Sequence, residues 1–297
     1  MSMSYRSKTQ TFFYKFFIWP LEAIILYFIY YLITALPFKI SSLIMGNFFR
    51  FLGPLLSWNK RADSQLRFAI PKLSLKQRTL ILREMWENLG RTLGEFPHTE
   101  KLFNSGFIEI IGIEKISSNY KSYFIVGAHL GNWETLSLLG NKLNKNSGIV
   151  YRKLNNPIAN RLLLKRSKNK SFQILEKGKK AANGMLRVLK NEGIVFILAD
   201  QQLREGISVP FFGKPANTSI THIKLAHKLK IPIFLVQSIR LKNHNHQILI
   251  KEKILVSKET DIPKVALRIN QHFEKWILEN PEQWLWPHRR WGKKKNL

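Results

Sequence analysis

The feature that most constrains this chain is an alternation that begins near residue 107. Short apolar, β-branched runs at 107–113, 122–127, 147–151, 194–199, 231–239 and 247–255 have the length and composition of strands. Helical patterns near 132–143, 157–168, 178–190, 218–229 and 261–280 separate them. That order predicts an α/β fold, with a mixed, largely parallel central sheet flanked by helices. The helix at 261–280 is the best signalled. Thr260 and Asp261 are cap candidates, Pro263 falls in the first turn, and Val265, Ile269, Phe273, Trp276 and Ile277 share one face. Upstream, Ser74 to Phe96 reads as an amphipathic helix capped by Ser74, with Leu75, Leu80, Ile81, Met85, Leu89 and Leu93 as its apolar positions.

A second constraint lies at the N-terminus. Phe16 to Phe38 (FFIWPLEAIILYFIYYLITALPF) is almost continuously apolar, interrupted only by Pro20 and Glu22. Its length is close to the roughly 20 residues that a bilayer span needs. It lacks a small-residue cleavage site, which argues against a removable signal peptide. Arg6, Lys8 and Lys15 precede it and suit a cytoplasmic N-terminus, but Lys39, Arg50, Lys60 and Arg61 follow it. The charge rule therefore leaves orientation open, and a helix lying in the interface competes with a full span. The expected organisation is an N-terminal membrane helix over 1–40 and one catalytic domain over 41–297.

The chain carries 48 basic and 19 acidic residues, a net charge of +29. Such a balance predicts a polyanionic partner, and both nucleic acid and an anionic membrane qualify. No recognised RNA- or DNA-binding module is present, so no nucleic acid is expected. Cysteine is absent. That excludes disulfides, thiolate-bound metals and a cysteine-linked acyl-enzyme, so any thioester must belong to a substrate. The histidines show no ligand-like spacing, and neither a metal nor a cofactor is expected.

The stretch from Tyr123 to Leu139, YFIVGAHLGNWETLSLL, places the most chemistry in the fewest residues. A strand ends at Gly127 and Ala128, His129 stands at its exit, and Gly131 and Asn132 open a helix containing Trp133 and Glu134. In open α/β sheets ligands bind beyond the carboxyl ends of the strands, which is where this places His129. A base that takes a proton from an alcohol needs a neutral imidazole and a partner that fixes its tautomer. A carboxylate five residues on could reach the inner ring nitrogen and leave the outer one to a substrate hydroxyl.

HLGNWE resembles the first block, His-x4-Glu, of the lipid A biosynthesis lauroyl and myristoyl acyltransferases, within the lysophospholipid acyltransferase superfamily. Tyr151-Arg152 with Asn156-Pro157, Leu198 to Ser219, Ile231-Pro232 with Arg240, and the closing PEQWLWPHRRW (Pro281 to Trp291) resemble its later blocks in order. The resemblance implies transfer of an acyl chain from acyl carrier protein to a hydroxyl of a lipid A precursor, at the bacterial inner membrane with the domain on the cytoplasmic face. It implies His129 as the base and Glu134 as its orienter, with Asn132, Arg152, Asp200, Arg204, Glu205 and Arg289 contacting substrate. Arg152 would meet a phosphate or sugar oxygen through paired donors. Trp284, Trp286 and Trp291 suit either an interfacial aromatic belt or a hydrophobic C-terminal dock. The runner-up is an acyltransferase for a glycerolipid or a phosphatidylinositol glycoside, which shares the His-carboxylate pair. A membrane-tethered nucleic-acid-binding protein and a silent scaffold stand further off.

Overall fold

A computed structural model describes residues 12–116, 119–165, 172–176, 178–203 and 205–292. Four helices come first: α1 (Trp19–Ala35), α2 (Phe38–Leu52), α3 (Ser57–Ala69) and α4 (Leu75–Glu95), followed by the short α5 (Thr99–Asn104). The α/β unit then runs β1 (Ile108–Ile111), β2 (Tyr123–Gly127), α6 (Leu139–Lys142), β3 (Ser147–Tyr151), α7 (Pro157–Lys165), β4 (Phe172–Glu176), α8 (Lys179–Lys190) and β5 (Ile194–Leu198). A hairpin, β6 (Ile207–Phe211) and β7 (Lys214–Thr218), precedes α9 (Thr221–Leu229), β8 (Ile233–Arg240), β9 (His246–Ile254) and α10 (Ile262–Glu279).

The main sheet has seven strands in the order β1-β9-β8-β2-β5-β3-β4. Every neighbouring pair is parallel except β8 with β9, as the alternation predicts. Side chains of β2 alternate between the two faces: Phe124 and Val126 join one core cluster, Tyr123 and Ile125 the other. Both faces are thus covered, the condition under which a parallel strand reads as a continuous apolar run.

Three elements were not legible in the sequence. Strand β4 is a short edge strand. Strands β6 and β7 each contain a proline, and Pro210 sits opposite Pro215. Proline lowers the strand signal because it cannot donate to a ladder. The two-residue turn holds Phe212 and Gly213, both at positive φ (52° and 68°), the conformation that joins right-twisted strands.

The helix from Leu75 to Glu95 forms with the expected cap. Ser74 Oγ accepts from the Gln77 backbone N–H, and the Gln77 side chain accepts from the Ser74 N–H. Its buried face differs from the sequence reading. Leu75, Leu80 and Leu93 are exposed, whereas Met85, Trp86, Asn88 and Thr92 are buried. Close packing of α2 selects that face through Gly90 and Gly94, which let the backbones touch. A Cβ on Gly90 would stand 2.2 Å from the Met45 carbonyl oxygen, and one on Gly94 2.4 Å from that of Ser41. Alanine normally stabilises a helix relative to glycine by about 1 kcal/mol. Here Gly90→Ala should instead destabilise by about 1–3 kcal/mol, because the obstructing atom is backbone. A melting temperature above that of the parent protein would refute this packing.

Two buried histidines predict an acid-sensitive fold. His222 on α9 is 1% exposed, lies against Phe124, and neither of its ring nitrogens has a hydrogen-bond partner. Burial pushes its pKa down to about 4. His246 on β9 is pushed down to about 4 by burial and then by the Arg240 charge, against the opposing pull of Glu95. In the unfolded chain both take up a proton near pH 6.5. Between pH 6.5 and 4 the unfolded state therefore binds more protons, and stability falls as pH falls through that window. Each ring accounts for up to about 3 kcal/mol of the loss by pH 4. His222→Phe should reduce the fall in melting temperature between pH 7 and pH 4.5. An unchanged fall would exclude His222 as a source.

Candidate active site

Gly127, the last residue of β2, is in register with Leu198, the last residue of the adjacent parallel strand β5. His129 and Asp200 each lie two residues beyond those partners, so the sheet delivers the two side chains side by side above its carboxyl edge. The His129 Nδ1–H donates to Asp200 Oδ1 at 2.7 Å. Asp200 Oδ2 accepts from the His129 backbone N–H at 3.0 Å and from the Trp284 indole N–H at 2.8 Å. The carboxylate is 2% exposed. Burial alone would raise its pKa, but the facing imidazole and the three donated hydrogen bonds outweigh that and hold it well below the usual carboxylate range. Asp200 is therefore ionised and acceptor-only, which puts the neutral imidazole's proton on Nδ1 and leaves a lone pair on Nε2.

That lone pair faces Gln201, whose side-chain amide stands 3.0 Å from His129 Nε2 and 3.0 Å from His288 Nε2. The amide N–H occupies the place that a hydroxyl donor would take. The Trp133 and His288 rings lie against the imidazole, with centroids 5.4 and 5.3 Å away. Below them opens a cavity of about 220 Å³. Ile125, Leu136, Ile149, Phe172, Ile174 and Phe196 make its walls apolar, and His129, Glu134 and Arg152 also line it.

The turn carrying His129 is held from behind. Gly131 adopts φ +58°, and a Cβ there would meet the Ser238 carbonyl oxygen at 2.6 Å, so glycine is required. Residues Gln283 to Leu285 lie alongside in an isolated antiparallel bridge between Leu130 and Trp284: the Gly131 N–H donates to the Gln283 carbonyl and the Leu285 N–H to the His129 carbonyl. Asn132 is buried, caps the Glu134 N–H, and donates to Glu95 Oε2 at 2.7 Å. Glu95 is wholly buried and paired with Arg240, and it also accepts from Ser42 Oγ. Burial opposes its charge, but Arg240 and then His246 outweigh that and lower its pKa. Removing one member of such a pair leaves an uncompensated buried charge.

The sequence-derived site residues are distributed as follows. His129 and Asp200 touch, and Glu134 and Arg152 line the same cavity. Asp200, not Glu134, takes the Nδ1 position that the sequence reading gave to Glu134. The Glu134 carboxylate instead accepts from the Trp133 indole at 3.2 Å. The reason is local: residues 133–138 form a 3-10 turn rather than the opening of an α-helix, while the neighbouring strand brings Asp200 up in register. Asn132 supports the turn from within. Glu205 and Arg289 are exposed and outside the cavity wall, and Arg204 lies outside the described residues. The three tryptophans of the closing block are 1%, 0% and 4% exposed, which makes that block a hydrophobic dock, not an interfacial belt. Its Arg290, also buried, donates to the Asn217 carbonyl and to Thr218 Oγ1. His288, Trp284 and Glu95 are site residues that the sequence did not single out for these positions.

The sequence model of the family described as bacterial lipid A biosynthesis acyltransferase matches residues 13–293. The chain belongs to that family. A lipid A biosynthesis acyltransferase of Haemophilus influenzae (strain ATCC 51907 / DSM 11121 / KW20 / Rd) is 23% identical over 273 residues, covering 87% of this chain and 86% of that protein. For a member of this family, an activated imidazole beside an apolar cavity has a direct chemical reading. The ring can receive a proton from an alcohol, and the cavity can take a hydrocarbon chain.

Proposed function

We propose that this acyltransferase moves a fatty acyl chain from an acyl carrier protein thioester to a hydroxyl of a lipid A precursor, forming an acyloxyacyl group. The observation that carries the proposal is the Asp200–His129 pair, whose Nε2 meets only the Gln201 side-chain amide on a ring that lines an apolar cavity with Arg152. The acceptor hydroxyl displaces the Gln201 amide and donates to Nε2. As the proton passes to His129, the alkoxide oxygen attacks the thioester carbonyl and the C–S bond breaks. The proton then leaves with the carrier thiolate, so the step balances without a cofactor. Asp200 fixes the tautomer and stays hydrogen-bonded to the ring as it takes up the proton. Arg152 presents paired donors to phosphate or sugar oxygens at the mouth. The net charge of +29 suits both an acidic carrier and an anionic membrane. A carrier-bound donor is in keeping with a catalytic domain on the cytoplasmic face of the inner membrane.

A donor panel tests this reading. Purified protein with a phosphorylated, hydroxyl-bearing lipid A precursor should use acyl carrier protein thioesters at least ten-fold faster than the same chains on coenzyme A. Equal use of both would remove the carrier from the proposal. Transfer to a lysoglycerolipid but not to the glucosamine lipid would replace the acceptor.

A further inference from the structure

The apolar N-terminal helix has two long faces, and both are accounted for. Trp19, Ala23 and Ile33 are buried, with Tyr27 and Tyr30 half-buried between them, a stripe with helical spacing along the whole of α1. The opposite stripe, Leu21, Ile24, Ile25, Phe28 and Leu32, is exposed. The buried stripe is also hydrogen-bonded to the domain at both ends. Asn156, at the start of α7, donates through its side-chain amide to the Trp19 carbonyl (2.9 Å) and to Glu22 Oε2 (3.0 Å). His98, just beyond α4, donates through Nε2 to the Ile33 carbonyl at 2.9 Å. Those two carbonyls are 14 residues apart, or about 21 Å along a helix.

A helix that crosses a bilayer projects away from the domain it anchors, because a hydrocarbon core about 30 Å thick separates its ends. Here the domain touches both ends. If α1 crossed, the parts of the domain that touch it would have to enter the hydrocarbon with it. Arg152, Lys153 and Arg161 are exposed beside the Asn156 end, and Lys39, Glu100 and Lys101 beside the His98 end. A span would set these two groups of charges near opposite headgroup layers and carry the domain that joins them through the hydrocarbon between. Both ends of α1 therefore lie at headgroup depth on one side of the membrane.

We infer that this protein is monotopic: α1 lies in the plane of one leaflet along the domain, and α2 is a second immersed helix. The open apolar surface does not stop at α1. Ile40, Leu43, Ile44, Phe48 and Phe51 of α2 are exposed on one stripe, and Leu55 and Trp58 continue it. The reverse face of α2 packs on α4 through Gly90 and Gly94. A lipid leaflet fits this continuous face, and Lys15, Lys39 and Lys60 stand exposed along its length to meet anionic headgroups. The arrangement sets Asn156, and with it Arg152 at the cavity mouth, at headgroup depth.

The absence of cysteine makes the test direct. Ser4→Cys and Lys258→Cys, made singly in the full-length protein, are labelled with a membrane-impermeant maleimide in inside-out and right-side-out vesicles. Both sites should react from the same side. Reaction of Ser4→Cys only from the side opposite Lys258→Cys would overturn the inference. Spin labels at Ile25→Cys and Phe48→Cys supply a depth reading, expected at about 5–10 Å below the headgroups for both. A label at 25 near the bilayer midplane, or a label at 48 in water, would equally overturn it.

Discussion

Replacing His129 with alanine should lower the rate of acyl transfer by about 10²- to 10⁴-fold, the range that a positioned general base supplies. The argument rests on where the ring sits. Its Nδ1 is committed to Asp200, its Nε2 meets the Gln201 amide that a substrate hydroxyl would displace, and the ring lines the cavity. The fold should survive. The residue's backbone N–H still donates to Asp200, its carbonyl still receives the Leu285 N–H, and Trp284 still caps the carboxylate. Loss of one donor to a buried carboxylate costs about 1–3 kcal/mol, which a melting curve would register. Transfer by the variant at more than a tenth of the parent rate would remove His129 from the chemistry.

The second large effect is expected at Asp200. Asparagine has the same shape, but its two ends differ. Two donors, the His129 backbone N–H and the Trp284 indole, converge on Oδ2, and one, the His129 ring, meets Oδ1. An amide satisfies the two converging donors only by placing its oxygen there, which turns its NH2 toward the ring. Nδ1 must then accept, the proton moves to Nε2, and the cavity faces a donor instead of a base. The corresponding change in a Ser-His-Asp triad costs about 10⁴-fold in kcat with the geometry preserved, and a loss of that order is expected for Asp200→Asn. Substrate binding should change little, so kcat falls while KM holds. The His129→Ala and Asp200→Asn effects should not add, because both remove the same base. A double variant slower than either by the product of their losses would mean that the two residues act separately.

How much of this was legible in the sequence follows from what each signal measures. Buried parallel strands are continuously apolar, and β2, β5 and β8 were therefore visible as runs. The hairpin was hidden by Pro210 and Pro215. The buried face of α4 was misread because hydrophobic periodicity scores leucines, while the contact with α2 is made where side chains are missing, at Gly90 and Gly94. His129 was legible because a strand exit, two glycines and a helix start coincide around it. Its partner on Nδ1 was not. Asp200 lies 71 residues away, and only the pairing of Gly127 with Leu198 makes the two neighbours. Glu134, five residues on, is closer in sequence, but the 3-10 turn between them sends its carboxylate to the Trp133 indole. Spacing within a motif reports proximity along the chain, whereas the sheet decides which ends meet. The closing block was read as a surface belt or a dock for a related reason: its tryptophans look interfacial until Asp200, Phe211 and the Pro281 carbonyl are found to receive their indole N–H groups.

The central claim is a direct transfer from donor to acceptor with His129 as the base, and one quenched reaction tests it. Protein, a hydroxyl-bearing lipid A precursor and an acyl carrier thioester are mixed, stopped within a single turnover, and both lipid and protein are weighed by mass spectrometry. The account predicts that the lipid gains the mass of one acyl chain while the protein mass stays unchanged, and that neither changes with His129→Ala. A protein that gains the acyl mass before the lipid does, or a lipid that gains it with His129→Ala, would contradict the account.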